Sequence, residues 1–126
     1  MNKEDLKRRL KELAVKTGKL CMRLPLTPAN RVYTGQIIRC SSSSAANYRA
    51  ACRGKSKADF INKLKIVEEE LDETMFFYEM LAEFNSDFKD ELRELYKEAD
   101  ELLSIIVASI NTANKNKAAT NPQSKI

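Results

Sequence analysis

Six small residues in an unbroken run, Ser41-Ser42-Ser43-Ser44-Ala45-Ala46, interrupt a stripe that recurs with the period of an α-helix. Tyr33, Ile37, Cys40, Ser44, Tyr48 and Ala51 follow the i, i+4, i+7, i+11 series of one helical face. Serine is a mediocre helix former, because its hydroxyl competes for nearby backbone groups, so four in succession do not serve propensity. Small side chains instead let a neighbouring helix approach closely, with hydroxyls turned back onto carbonyls one turn earlier. The alternative, an unstructured serine linker, conflicts with the helical period on both sides of the run. A helix with so little bulk must find other helices to pack on.

The rest of the chain supplies three. A first helix is predicted from Asn2 to Arg23, with Leu6, Leu10, Leu13, Thr17, Leu20 and Leu24 on one face and lysines and arginines elsewhere. Gly18 lies inside it, at a cost of about 1 kcal/mol relative to alanine, and is expected to mark a close approach of another backbone. Leu24-Pro25 stops this helix, because the residue before proline is pushed out of the α region. Thr27 is a good N-cap and Pro28 suits the first helical position, so the second helix is predicted over Pro28–Arg53. Gly54 is expected to close it in the left-handed region. Ser56 then caps a third helix over Lys57–Phe84, with Asp59 at the capping-box position. Phe60, Leu64, Val67, Leu71, Thr74, Met75, Tyr78 and Leu81 form its main stripe, and Ile61, Phe77, Met80 and Phe84 widen it. A face this wide implies burial on two sides, as in a bundle that also oligomerises. Asn85-Ser86-Asp87 makes a turn, with Asn85 or Ser86 as cap, before a fourth helix over Asp87–Asn114. The polar, aperiodic segment 115–126 reads as a disordered tail.

At 126 residues the chain fits one domain, with a core large enough to need no disulfides. Its three cysteines, Cys21, Cys40 and Cys52, lack CxxC spacing and read as small buried hydrophobes in a reducing compartment. With no histidine, a His metal site or His general base is excluded. The acids Glu68, Glu69, Glu70, Asp72, Glu73, Glu79 and Glu83 read as solvated or salt-bridged surface, since a carboxylate-bridged metal site normally adds Glu-x-x-His motifs. Neither a leader-like start nor an apolar run of the ~20 residues a membrane span requires is seen. The expectation is a cytoplasmic protein without membrane contact.

Charge is split along the chain. Residues 1–65 carry sixteen Lys/Arg against four Asp/Glu, a surplus of +12; residues 66–126 carry six against fourteen, a surplus of −8. Either the first half meets an anionic partner or the halves neutralise each other within or between subunits. Arg31, Arg39, Arg49 and Arg53 fall within about 80° of one another on the second helix, opposite its packing stripe. They form either a phosphate-contacting ridge or a solvated face paired with acids of another helix or subunit. The turn Arg53-Gly54-Lys55-Ser56-Lys57 adjoins the ridge, and the free amides opening the third helix could assist anion binding. It lacks the GxxxxGK[ST] spacing and preceding strand of a P-loop.

Four patterns of similar length joined by short turns predict an all-α, antiparallel, up-down-up-down four-helix bundle over residues 1–114. Certain residues also carry a family likeness. Gln36-Ile37-x-Arg39, the small run, Ala46-Asn47-Tyr48, then Arg53-x-x-Ser56-x-x-Asp59-Phe60-x-x-x-Leu64 and Lys65–Thr74 resemble the signature of a bacterial four-helix-bundle family. That family is associated with intervening sequences of large-subunit ribosomal RNA genes and includes the accessory variability protein of diversity-generating retroelements. The sequence departs from the commonest pattern at Ala45, where proline is usual, and at Ala50-Ala51, where Glu-Gly is usual. These departures suggest a side branch, and the retroelement role is not carried over.

The resemblance implies a homo-oligomer, a homopentamer in particular, with nucleic acid or a nucleic-acid-processing protein as partner and no enzymatic activity. On this sequence Arg39, Arg49, Arg53, Lys55 and Lys57 become the expected nucleic-acid contacts, and Ser41–Ala46 and Asn47 packing or interface positions. No catalytic, cofactor-binding or metal-binding residues are expected, because no nucleophile–base pair, ligand cluster or cofactor loop is evident. Two functions follow: a non-enzymatic nucleic-acid-binding oligomer, or a homo-oligomeric protein-interaction module without nucleic-acid affinity.

Overall fold

The computed structural model describes residues 1–120, with side chains for 1–116. Four helices follow one another: α1 (Lys3–Arg23), α2 (Pro28–Ala51), α3 (Lys57–Phe84) and α4 (Lys89–Thr120), the last entered through a single 3-10 turn, Ser86–Phe88. α1 packs on α2 and α4, and α3 on α2 and α4, so α1 and α3 occupy opposite corners. Arg23 at the end of α1 pairs with Glu91 near the start of α4. Asn30 near the start of α2 bonds Asn85 at the end of α3. Neighbouring helices therefore run antiparallel, as the short turns require.

The helix starts follow from local chemistry. Asn2 Oδ1 accepts the Asp5 amide at 2.8 Å, Thr27 Oγ1 the Asn30 amide at 3.1 Å, and Ser56 Oγ the Asp59 amide at 3.1 Å. Each bond satisfies one donor that the first helical turn leaves orphaned, worth about 1 kcal/mol.

The core is a single cluster of Leu, Ile, Val, Ala, Cys, Met and Tyr side chains from all four helices. Leu10, Leu64, Leu71, Leu81, Leu102 and Ile106 are wholly enclosed. Removing a side chain of this kind by Leu→Ala typically costs 2–5 kcal/mol. The serine run is buried on one side only: Ser44, as its period implied, and Ser41 face the core, with the Ser44 hydroxyl donating to the Ser41 carbonyl at 2.7 Å, while Ser42 is exposed. Asn47 stays within its own helix, donating to the Ser43 carbonyl at 2.9 Å. Thr17 and Tyr78 bridge the diagonal, their oxygens 2.6 Å apart, while the Thr17 hydroxyl donates to the Leu13 carbonyl. Burial pushes the Tyr78 hydroxyl above its ordinary range and the Cys21 thiol up to about 11. Cys40 is buried and likewise raised, so both thiols sit neutral in the packing.

Four expectations change. First, Gly54 is not left-handed, since no described residue has a positive φ. α2 tightens through Arg53 N–H to Ala50 O and Gly54 N–H to Ala51 O, both at 3.0 Å. A Cβ on Gly54 would lie 2.7 Å from Asp59 Oδ2 and 3.0 Å from Ala51 O, so glycine is there for space. Second, nothing lies within 4 Å of a Cβ built on Gly18, so no backbone approaches it within the protomer. Gly18→Ala should therefore raise stability by about 1 kcal/mol, read as a higher denaturant midpoint at unchanged slope. A lower midpoint would refute the open-space reading. Third, the Asn85 side chain caps no amide of the turn that follows; it is buried against Asn30 and donates back to the Leu81 carbonyl in the last turn of α3. Fourth, α4 continues to Thr120, past Asn114, and the rest of the expected tail lies outside the described residues.

Candidate nucleic-acid interface

The antiparallel order brings the start of α1, the end of α2 and the start of α3 to one end of the bundle. The ammonium of Lys3 stands 5.0 Å from the Phe60 ring centroid, which fixes that neighbourhood. Arg49, Arg53, Lys55 and Lys57 gather at this end, all exposed. None of the four makes an ion pair or hydrogen bond with a described side chain. The turn is held by backbone bonds from Arg53 and Gly54 and by the Ser56 cap, so these cations hang on a fixed frame.

Arg39 stands apart. Its guanidinium donates to Glu73 at 2.7 Å and to Glu70 at 3.2 Å, both on α3. The Glu73 hydrogen bond, with the charge of both acids, raises its pKa further. The predicted ridge is thus divided: its middle neutralises α3, and Arg49 and Arg53 remain free with the two lysines of the turn. Neutralisation between the halves recurs across α1 and α4. Arg9 grips Glu98 with two bonds of 2.9 and 2.6 Å, which holds the Glu98 carboxyl below its ordinary pKa. Forked geometry makes this pair stronger than a usual surface contact of 0–1 kcal/mol.

An open groove of about 820 Å³ runs between α1 and α2. Ala14, Ser42, Ala45 and Ala46 form its floor; Lys7, Arg8, Lys11 and Arg49 line it against a single acid, Glu4. The α1–α4 groove differs: Lys16, Lys19, Arg23 and Lys97 there face Glu12, Glu91, Glu94, Glu98 and Glu101. Positive potential therefore survives on the α1–α2 side and at the α2–α3 turn. The α1 cations of the first groove were absent from the sequence-based site. Their signal was the i, i+4 spacing of Lys7 and Lys11, visible only once α1 is laid antiparallel along the small residues of α2. Two of the groove's cations are tethered locally, Lys7 to Glu4 at 3.0 Å and Arg8 to Glu12 at 3.1 Å.

Among the described residues no three His, Cys, Asp or Glu side chains form a group that could hold a metal ion. No helix among them is long and apolar enough to cross a membrane.

The fold has a solved counterpart. A crystal structure of a protein of unknown function from the S23 ribosomal protein family of Bacteroides thetaiotaomicron VPI-5482 matches with a TM-score of 0.78 and 28% identity. The match covers 88% of this chain and 99% of that one. No curated protein matches. The family model of the 23S rRNA-intervening sequence protein matches residues 3–108. With four helices in up-down order and a family match over nearly its whole described length, the chain belongs to the 23S rRNA-intervening sequence protein family.

Proposed function

We propose that this protein is a non-enzymatic, oligomeric RNA-binding protein of the cytoplasm that holds phosphate backbone at the basic end of its bundle. The observation that carries the reading is the set Arg49, Arg53, Lys55 and Lys57, exposed at and beside a hydrogen-bonded turn and unpaired with any described residue, while Arg39 is engaged by Glu70 and Glu73. The family's name, which refers to 23S rRNA, favours RNA as the anion. Backbone contacts of this kind position a nucleic acid without reading its sequence. The unpaired cations would displace counterions, which sets a steep salt dependence.

The test is a fluorescence-polarisation titration against short single-stranded RNA, single-stranded DNA and duplex DNA. With four phosphate contacts the log–log salt slope for single-stranded RNA should be roughly −3. Absence of binding at low salt, or binding indifferent to salt, overturns the reading. A second reading, a homo-oligomeric interaction module without nucleic-acid affinity, is favoured by the solvent-facing rings of Phe76 and Phe84. It predicts a stable oligomer that leaves all three nucleic acids unbound.

A further inference from the structure

The groove between α1 and α2 opens at the basic end of the bundle and climbs away from it. Because the two helices run antiparallel, Lys7, Lys11 and Val15 follow one another up α1 while Arg49, Ala46 and Ser42 follow one another up α2. From Lys7 to Val15 this wall is roughly 12 Å long at 1.5 Å per residue. Arg49 belongs to both surfaces, since it lines the groove and stands one turn before Arg53 of the basic turn. Cations therefore continue from the turn into the groove.

The groove is deep because the alanines of its floor end at Cβ and Ser42 extends only one hydroxyl further. Ser42 and Ala46 are exposed, and the Ser42 hydroxyl bonds no described residue. Lys11 likewise has no ion pair among the described residues. Lys7 and Arg8 each hold one acid of their own helix, in exposed pairs of 3.0 and 3.1 Å. Such pairs are worth about 0–1 kcal/mol, so a phosphate can displace either acid. No aromatic side chain lines the groove, which leaves bases nothing to stack on. Cations along the walls and a floor without bulk suit a sugar–phosphate backbone, with the Ser42 hydroxyl free to bond a phosphate or ribose oxygen. A duplex is wide enough to hold a whole α-helix in its major groove. It cannot enter a seat between two helices whose packed axes lie about 8–10 Å apart.

We infer that this groove seats a single RNA strand, which is held at the basic turn and continues between α1 and α2, where Lys7, Arg8 and Lys11 take further phosphates. The inference rests on the RNA reading of the proposed function; it names the substrate as single-stranded and extends the site by three contacts. Each contact adds about 0.7 to the log–log salt slope, so a strand that fills the groove should show about −5 where one confined to the turn shows about −3.

The experiment uses the full chain with oligouridylates of about 6 and about 15 nucleotides, within the range of single-strand site sizes, and an RNA duplex of the longer length. Fluorescence polarisation gives the slopes, and lysine acetylation with and without RNA, read by mass spectrometry, gives the footprint. The longer strand should show the steeper slope and protect Lys7 and Lys11 together with Lys55 and Lys57, while Lys97 on α4 stays reactive. The duplex should leave Lys7 and Lys11 reactive. Ser42→Phe fills the groove and keeps every charge. It should weaken the longer strand at least tenfold and leave the shorter one within about twofold, with a circular dichroism melt like that of wild type. Lys7→Ala with Lys11→Ala should flatten the longer strand's slope by about 1.4. If the longer strand binds with Lys7 and Lys11 still reactive, or the duplex protects them equally, or a folded Ser42→Phe binds both strands like wild type, the groove assignment is overturned while RNA binding at the turn stands. Should Ser42→Phe fail to fold, the wild-type footprint and the lysine variant decide by themselves. No binding of either strand at low salt overturns both readings.

Discussion

Arg49→Glu with Arg53→Glu should weaken RNA binding on the order of 100-fold at about 50 mM salt and flatten the log–log salt slope by about 1.4. The size follows from counterion release. Each phosphate contact on a single strand adds about 0.7 to the slope, and extrapolated from 50 mM to 1 M salt that is roughly a tenfold gain per contact. Losing two contacts removes about two orders of magnitude, and reversed charge adds repulsion. Both side chains are exposed and carry no intramolecular bond, so stability should move by no more than about 0.5 kcal/mol. Arg39→Gln is the internal comparison. Its guanidinium is already committed to Glu70 and Glu73, so RNA affinity should change by about threefold at most. Titration of the three proteins at two salt concentrations decides the matter. An unchanged slope in the double variant, or a loss in Arg39→Gln as large as its own, would show that phosphate is held elsewhere.

The largest effect on stability is expected at the buried amide pair. Asn30 and Asn85 exchange hydrogen bonds of 2.8 and 2.7 Å, and their remaining amide protons go to the Pro25 carbonyl at 2.9 Å and the Leu81 carbonyl at 2.8 Å. All four donors and both acceptors are thus satisfied at positions only 3% and 6% exposed. The pair ties the α1–α2 turn, the first turn of α2 and the last turn of α3 into one unit. Asn85→Leu leaves Asn30 with an unpaired oxygen and one unpaired proton away from water. At about 1–3 kcal/mol for each of these two stranded groups, the loss should be about 2–6 kcal/mol. Thermal unfolding should then fall by roughly 8–25 °C for a domain of this size. The second arm is Asn30→Leu in the same background. Once both amides are gone no polar partner remains stranded between them, so the double variant should be clearly more stable than the sum of the single losses predicts. Strict additivity would mean that the pair is not coupled.

The sequence by itself determined what local chemistry controls. Thr27-Pro28 and Ser56 set their helix starts, because a cap acts on amides within one turn of itself. The 3.6-residue recurrence of Leu6, Leu10, Leu13 and Leu20 picked out the buried face of α1, because a helix fixes the angle between its own side chains. Tertiary structure decided which faces meet. Arg39 and Arg49 lie about 80° apart on α2, yet only Arg39 reaches acids of α3, and α2 alone does not tell which of them faces that helix. Asn85 reads as a cap from its neighbours in sequence and becomes the partner of Asn30, 55 residues away. Gly54 reads as a left-handed stop and proves to be a clearance for Asp59. The cationic groove between α1 and α2, the register of Thr17 with Tyr78 and the unpartnered ridge of Phe76 and Phe84 belong to the same class. Periodicity gives the direction of a side chain around one helix axis. The height and rotation at which a second helix meets it are set jointly by the core packing of all four, and these decide which charges are cancelled and which remain for a partner.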